Sequence, residues 1–148
     1  MNIIEFVRST LSEFPKIAEV MGTVHVDFTD ESPTNYGLSS MGDTLLFEDV
    51  LGNQTRQHNF VLYAVYQSVN DYDRLNNSGT LLELQYWLEK QAKEQEITAQ
   101  ISGRELKGKL ISLVGSNGMI YEVPDASNNG VRYQLQIQAK YKIESEEF

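Results

Sequence analysis

From Val131 to Ile143 the chain alternates for thirteen residues without a break. Val131, Tyr133, Leu135, Ile137, Ala139, Tyr141 and Ile143 fall on one side, Arg132, Gln134, Gln136, Gln138, Lys140 and Lys142 on the other. A period of two this long and pure demands a β-strand with one face in a core and one in water. Such a strand needs partners of its own length, and a chain of 148 residues has room for one sheet of that kind and the helices covering it. The chain is therefore expected to form one domain, residues 1–148, of class α+β.

The remaining elements follow from changes of period. Ile3, Val7, Leu11 and Phe14 lie on one stripe of an amphipathic helix with Asn2 as its cap and Pro15 as its break, and residues 16–21 can add a further turn. From Gly22 the period becomes two, with Val24, Val26 and Phe28 on one side, which predicts a strand. Residues 29–42 hold Asp30, Ser32, Pro33, Asn35, Gly37, Ser39, Ser40 and Gly42, a density of turn formers that predicts a long loop. Thr44–Val50 and Gln57–Val69 read as a hairpin joined across residues 51–56. Its second strand is apolar on both faces, Phe60, Leu62, Ala64 and Tyr66 against Val61, Tyr63 and Val65, so a second layer is expected over it.

Residues 70–79 read as a polar loop, followed by a helix over 80–95 with Thr80 and Glu83 in capping-box spacing and Leu81, Leu84 and Leu88 as its stripe. Strands over 107–114 and 119–123, turning at Gly115-Ser116-Asn117-Gly118, precede a loop at 124–130 and the final strand. The acidic end, residues 144–148, is expected to fray. The order is α-β-β-β-α-β-β-β: a mixed, mostly antiparallel sheet with two main helices packed on one face.

Charge and composition narrow the function. The net charge of −9 is ill suited to gripping a phosphate backbone, and the absence of cysteine removes disulfides, thiolate metal sites and thiol nucleophiles. The start carries Glu5 and Arg8 within its apolar pattern, unlike a secretory signal, and the longest apolar run, residues 60–66, is far below the ~20 residues of a membrane-spanning helix. No catalytic, cofactor or metal motif emerges. His25 and His58 have no zinc-site spacing, so each is assigned a surface or hydrogen-bonded structural role. Asp71-Tyr72-Asp73 lacks the later positions of a calcium loop.

Residues 1–50 carry nine acids and two bases, net −7, whereas residues 51–148 carry twelve acids and ten bases, net −2. Arg104, Lys107 and Lys109 form the one compact basic group. An acidic region and a small basic one on the same chain can pair head to tail between copies.

Three segments together resemble, in order and spacing, the small minor capsid proteins of tailed bacteriophages, of the tail-terminator type. They are Pro33-Thr34-Asn35-Tyr36-Gly37-Leu38, Gly52 followed by Arg56-Gln57 and by Phe60 entering a strand, and Leu84-Gln85-Tyr86-Trp87-Leu88. The likeness covers residues 1–91 by motif and the whole chain by element order.

The resemblance implies a structural virion protein and not an enzyme, with no cofactor. Six copies in a ring would cap the tail tube and present a surface to the head connector, in the tail or neck of the virion after assembly in the host cytoplasm. The partners would be copies of itself, the tail tube protein and the head–tail connector protein, with no membrane and with a solution monomer compatible. DNA would pass through without sequence-specific binding, and an acidic ring lumen would repel it. Asn35, Tyr36, Gly52, Arg56 and Gln57 would shape subunit or ring contacts, with Tyr63, Arg104, Lys107 and Lys109 as further candidates. Leu84, Trp87 and Leu88 would pack the helix on the sheet. Two alternatives from other classes are a small cytoplasmic enzyme with a pocket between helix and sheet, and an adaptor binding an extended peptide along a free sheet edge, such as that of the final strand.

Overall fold

A computed structural model of the chain describes residues 1–15, 25–26, 35–67, 71–91, 95–122 and 130–145. The alternating C-terminal segment is strand β6 (Gly130–Ile143), and it lies inside the sheet. On one side it runs antiparallel to β3 (Gln54–Gln67) in unbroken register, from Gln54 opposite Ile143 to Gln67 opposite Gly130. On the other it pairs with β5 (Arg104–Glu122). Beyond β3 lie β2 (Asn35–Glu48) and the two-residue β1 (His25–Val26); beyond β5 lies β4 (Glu96–Ile101). The order is β1-β2-β3-β6-β5-β4, with every pair antiparallel except β1 and β2.

Both edges of β6 are hydrogen-bonded, so its alternation translates directly into two faces. Tyr133, Leu135, Ile137, Ala139, Tyr141 and Ile143 are buried, while Gln136, Gln138 and Lys142 are exposed. Phe60, Leu62 and Ala64 of β3, Tyr36 and Leu38 of β2, and Leu110 and Leu113 of β5 extend the same apolar face. Each fully buried side chain of this size contributes about 1.5–3 kcal/mol.

Among the described residues two helices pack on that face. In α1 (Ile3–Ser12) the Asn2 side chain accepts from the Glu5 amide at 2.9 Å, and Ile3, Val7, Leu11 and the following Phe14 are buried. In α2 (Asp71–Glu89) Leu81, Leu84 and Leu88 are buried. The helices meet where the rings of Phe14 and Trp87 lie 5.3 Å apart at 60°. The class is α+β with both helices on one face, and among the described residues nothing packs as a layer on the other.

Several boundaries differ from the sequence expectation. Of the loop expected at 29–42, residues 35–42 are strand: β2 is registered on β3 throughout, which satisfies backbone groups that Gly, Ser and Asn side chains do not. Residues 29–34 lie outside the described residues, as do 16–21 and most of the strand expected from Gly22. The hairpin turn spans 49–53 rather than 51–56. Residues 71–79, expected as loop, are helical, so Thr80 is not a cap; propensity is a weak prior against the packing of a long helix. That helix ends at Glu89, and β4 follows where none was expected.

Gly115–Gly118 is not a turn but a bulged stretch within β5. A Cβ on Gly115 would stand 3.1 Å from Gln85 Cγ, and Gln85 Nε2 donates to the Gly115 carbonyl at 2.8 Å, so this glycine serves the close approach of α2. The second layer expected over β3 is likewise not found among the described residues. Val61 on the helix-free face is only 9% exposed, flanked in register by Ser39 and Gln136. Glu144 and Ser145 are held by hydrogen bonds to the Lys107 carbonyl and the Asn53 side chain, each at 2.8 Å; the rest of the tail expected to fray lies outside the described residues.

Two glycines make opposite predictions. A Cβ on Gly108 would lie 2.6 Å from the backbone oxygen of Lys142, so Gly108→Ala is expected to lower the urea midpoint, at about 1–3 kcal/mol. Gly79 is helical with open space around a Cβ, so Gly79→Ala is expected to raise the midpoint, by about 0.5–1 kcal/mol.

Candidate functional site

Strand β2 changes character at Ser40. Register shifts between Ser40 and Gly42 and between Leu45 and Phe47 place two bulges within eight residues, and Gly42 takes φ +122°, open to glycine and strained for other residues. Between the bulges Asp43 stands opposite His58 on the helix-bearing face, and Arg56 stands opposite Tyr141 of β6. Four polar side chains therefore converge where the apolar rows give out.

Asp43 is the hub. Its Oδ1 accepts from Arg56 Nε at 2.6 Å, and its Oδ2 meets His58 Nδ1 at 2.9 Å and accepts from the Tyr141 hydroxyl. The other ring nitrogen of His58 lies 2.5 Å from Ser40 Oγ, and the ring stacks on Phe60 with centroids 4.5 Å apart. Arg56 also donates to Gln54 Oε1 at 2.9 Å. Burial alone would raise the Asp43 carboxyl, but the hydrogen bonds from Tyr141, Arg56 and His58 and the Arg56 charge outweigh it and hold it below its ordinary value. Burial, and then the bond to Asp43, push the Tyr141 phenol well up. The result ties β2, β3 and β6 together through one carboxylate.

Outside this lock the same stretch turns apolar groups to solvent. Met41, Leu45, Leu46, Phe47, Val50 and Leu51 are all exposed, Phe47 at 63% and Val50 fully. The turn carrying the last two is rigidly built. Asp49 Oδ1 accepts from the amides of Leu51 and Asn53 at 2.9 and 3.0 Å, its Oδ2 accepts from Asn53 Nδ2 at 3.0 Å, and Gly52 takes φ +87°. A run of exposed apolar side chains on an ordered strand and turn is the mark of an interaction surface.

The residues expected to matter are distributed as follows. Gly52 and Arg56 lie at this edge, one in the turn and one in the lock. Gln57 donates to Asn59 Oδ1 at 3.1 Å on the helix-free face, where Tyr63 is half-buried. Asn35 begins β2, and Tyr36 is buried in the core at 2% exposure. Arg104, Lys107 and Lys109 are exposed on β5, separated from β3 by β6. Leu84 and Leu88 are in the core, whereas Trp87 is half-buried and bridges to α1.

Sequence reading missed Ser40, Asp43 and Tyr141 as a group with His58. The legible signal was parity: His58 alternates in phase with the apolar row Phe60, Leu62 and Ala64, although both rows of this strand are apolar and only the structure shows that this one faces the helices.

Ser40, His58 and Asp43 touch in the order of a nucleophile, base and orienting acid. The groove of about 240 Å³ lined by Met1, Glu96, Ile97, Thr98, Lys107, Gly108, Lys109 and Glu144 does not include them. Among the described residues no group of three His, Asp or Glu side chains could hold a metal ion, and no helix is long and apolar enough to cross a membrane. Comparison with models of known protein families and with curated proteins finds no match.

The lock predicts a pH profile. The Asp43 carboxyl titrates lower folded than unfolded, so its stabilisation is complete above the unfolded value of about 3.9 and is lost as pH falls through the folded one. The Tyr141 phenol titrates higher folded than unfolded, so its share is complete below about 10 and is lost only in stronger alkali. Melting temperature against pH should fall at both ends. Asp43→Asn is expected to cost about 1–3 kcal/mol at neutral pH and to flatten the acid limb, and Tyr141→Phe to flatten the alkaline one.

Proposed function

We propose that the chain is a structural virion protein of a tailed bacteriophage, a subunit of the tail-terminator and minor capsid type. It closes as a ring, six copies by the resemblance, on the end of the tail tube and joins it to the head connector, with no catalytic step. The observation carrying this reading is the exposed apolar rim on a locked, ordered edge: Phe47, Val50 and Leu51 are held in water by a strand and a turn that cost stability unless something covers them. The segments that resemble the phage family include the rim's turn at Gly52 and the lock's Arg56.

Native mass and electron microscopy across concentration, with and without assembled tail tubes, test it. A discrete closed ring, alone or on the tube end, is expected. A monomer at every concentration that also fails to bind tubes would overturn the proposal.

A second reading, a serine hydrolase, rests on the contacts of Ser40, His58 and Asp43. The structural reading expects Ser40 to resist a fluorophosphonate probe. A covalent adduct on Ser40 that is lost in His58→Ala would move the protein to the enzymes.

A further inference from the structure

We propose that the rim formed by Met41–Leu51 is one half of a head-to-tail contact between copies of this chain. The other half is the lysine-bearing quarter of the helix-free sheet face, Lys107 and Lys109 of β5 with Lys140 and Lys142 of β6. This inference rests on the ring reading above and names its interface.

The quarter follows from register. Lys109 is opposite Lys142, Lys140 is opposite Ser112, and Lys107 precedes Lys109 by two, so period two places all four on the face that carries no helix among the described residues. In a chain of net charge −9, four of the twelve Lys and Arg residues are gathered here. Among the described residues no salt bridge closes on any of them, although Lys142 is near enough to Asp49 of the same chain for its charge to help lower that carboxyl. Beside them Ile111 and Val114 are exposed, and the lysine stems add apolar surface below their charges. The rim is the complement. It is apolar, it contains no Lys or Arg, and it carries Glu48 and Asp49. Asp49 is engaged by its own turn, which leaves Glu48 to meet a cation.

The same charges select the pairing. Lysine quarter against lysine quarter sets like charges together, and rim against rim brings Glu48 onto Glu48, so rim on quarter is favoured over either. The two bulges break the regular edge that simple strand addition would use. Made once between two copies, rim on quarter is heterologous and repeats into a ring when its rotation closes; made reciprocally about a two-fold axis it stops at a dimer, and a dimer by native mass would overturn the head-to-tail contact.

The absence of cysteine makes the test clean. Chains carrying Phe47→Cys and chains carrying Ile111→Cys or Val114→Cys are mixed under mild oxidation, with Leu82→Cys on exposed helix surface as the control partner. The expected product is a Phe47→Cys to β5 heterodimer about tenfold above the control. Glu48→Lys should remove that excess, and Lys109→Glu with Lys142→Glu in the partner should restore it. All these positions are exposed, and unchanged circular dichroism confirms the fold of each variant.

Three other results would overturn the contact: yield no higher than the control, Phe47→Cys homodimers in excess, or cross-linking abolished by a short DNA duplex bound through the four lysines. The last would assign the quarter to nucleic acid. A discrete ring by native mass without this cross-link would sink the contact and leave the ring reading standing. The cross-link in open, unclosed chains would do the reverse.

Discussion

The pairing of β6 on both edges is the constraint from which the rest of the structure follows. A strand that alternates over its whole length and is hydrogen-bonded on both sides has one apolar face to bury and one polar face to leave wet. The helices consequently share a side, and they meet at Phe14 and Trp87 because both must cover the same rows of Tyr, Leu and Ile. The opposite face keeps Gln136, Gln138 and Lys142 in solvent. The central place of β6 leaves the final strand no free edge, so a peptide pairing along the sheet would have to use an outer strand instead.

Strand β2 departs from this order in a way that folding alone does not require. Between Ser40 and Phe47 the polar groups turn toward partners inside the protein and the apolar groups face water. Two bulges make the inversion possible by shifting register twice. The Asp43 carboxylate holds it in place, because removing any one of its three donors leaves the others competing with solvent. A sequence optimised only for stability would bury Leu46 and Phe47; their exposure on a braced edge is the cost that the proposed assembly role would explain.

Much of the core was legible before the structure. The stripe Ile3, Val7, Leu11 and Phe14, its Asn2 cap, and the inward row of β6 follow from period alone, because each belongs to an element whose propensity and packing agree. The misreadings fall where they disagree. Gly37, Ser39, Ser40 and Gly42 look like a loop but are held as strand by β3, and Asn76, Asn77 and Ser78 look like a loop but belong to a helix. Gly115 looks like a turn but admits a helix side chain. Strand β4 had a usable signal in Ser102-Gly103, whose φ values of 52° and 78° are those of a tight hairpin turn. The lock itself had only the parity of His58 to announce it, since its members lie on three strands.

The sequence by itself determined the class of the fold, the two faces of β6 and the uneven charge of the chain, because these are properties of neighbours along the backbone. Only the tertiary structure decided that β6 is central, that Ser40, Asp43, Arg56, His58 and Tyr141 meet, and that four lysines share the face opposite α1 and α2. Those depend on register between strands distant in sequence, and the local pattern carries no record of which strand another will pair with.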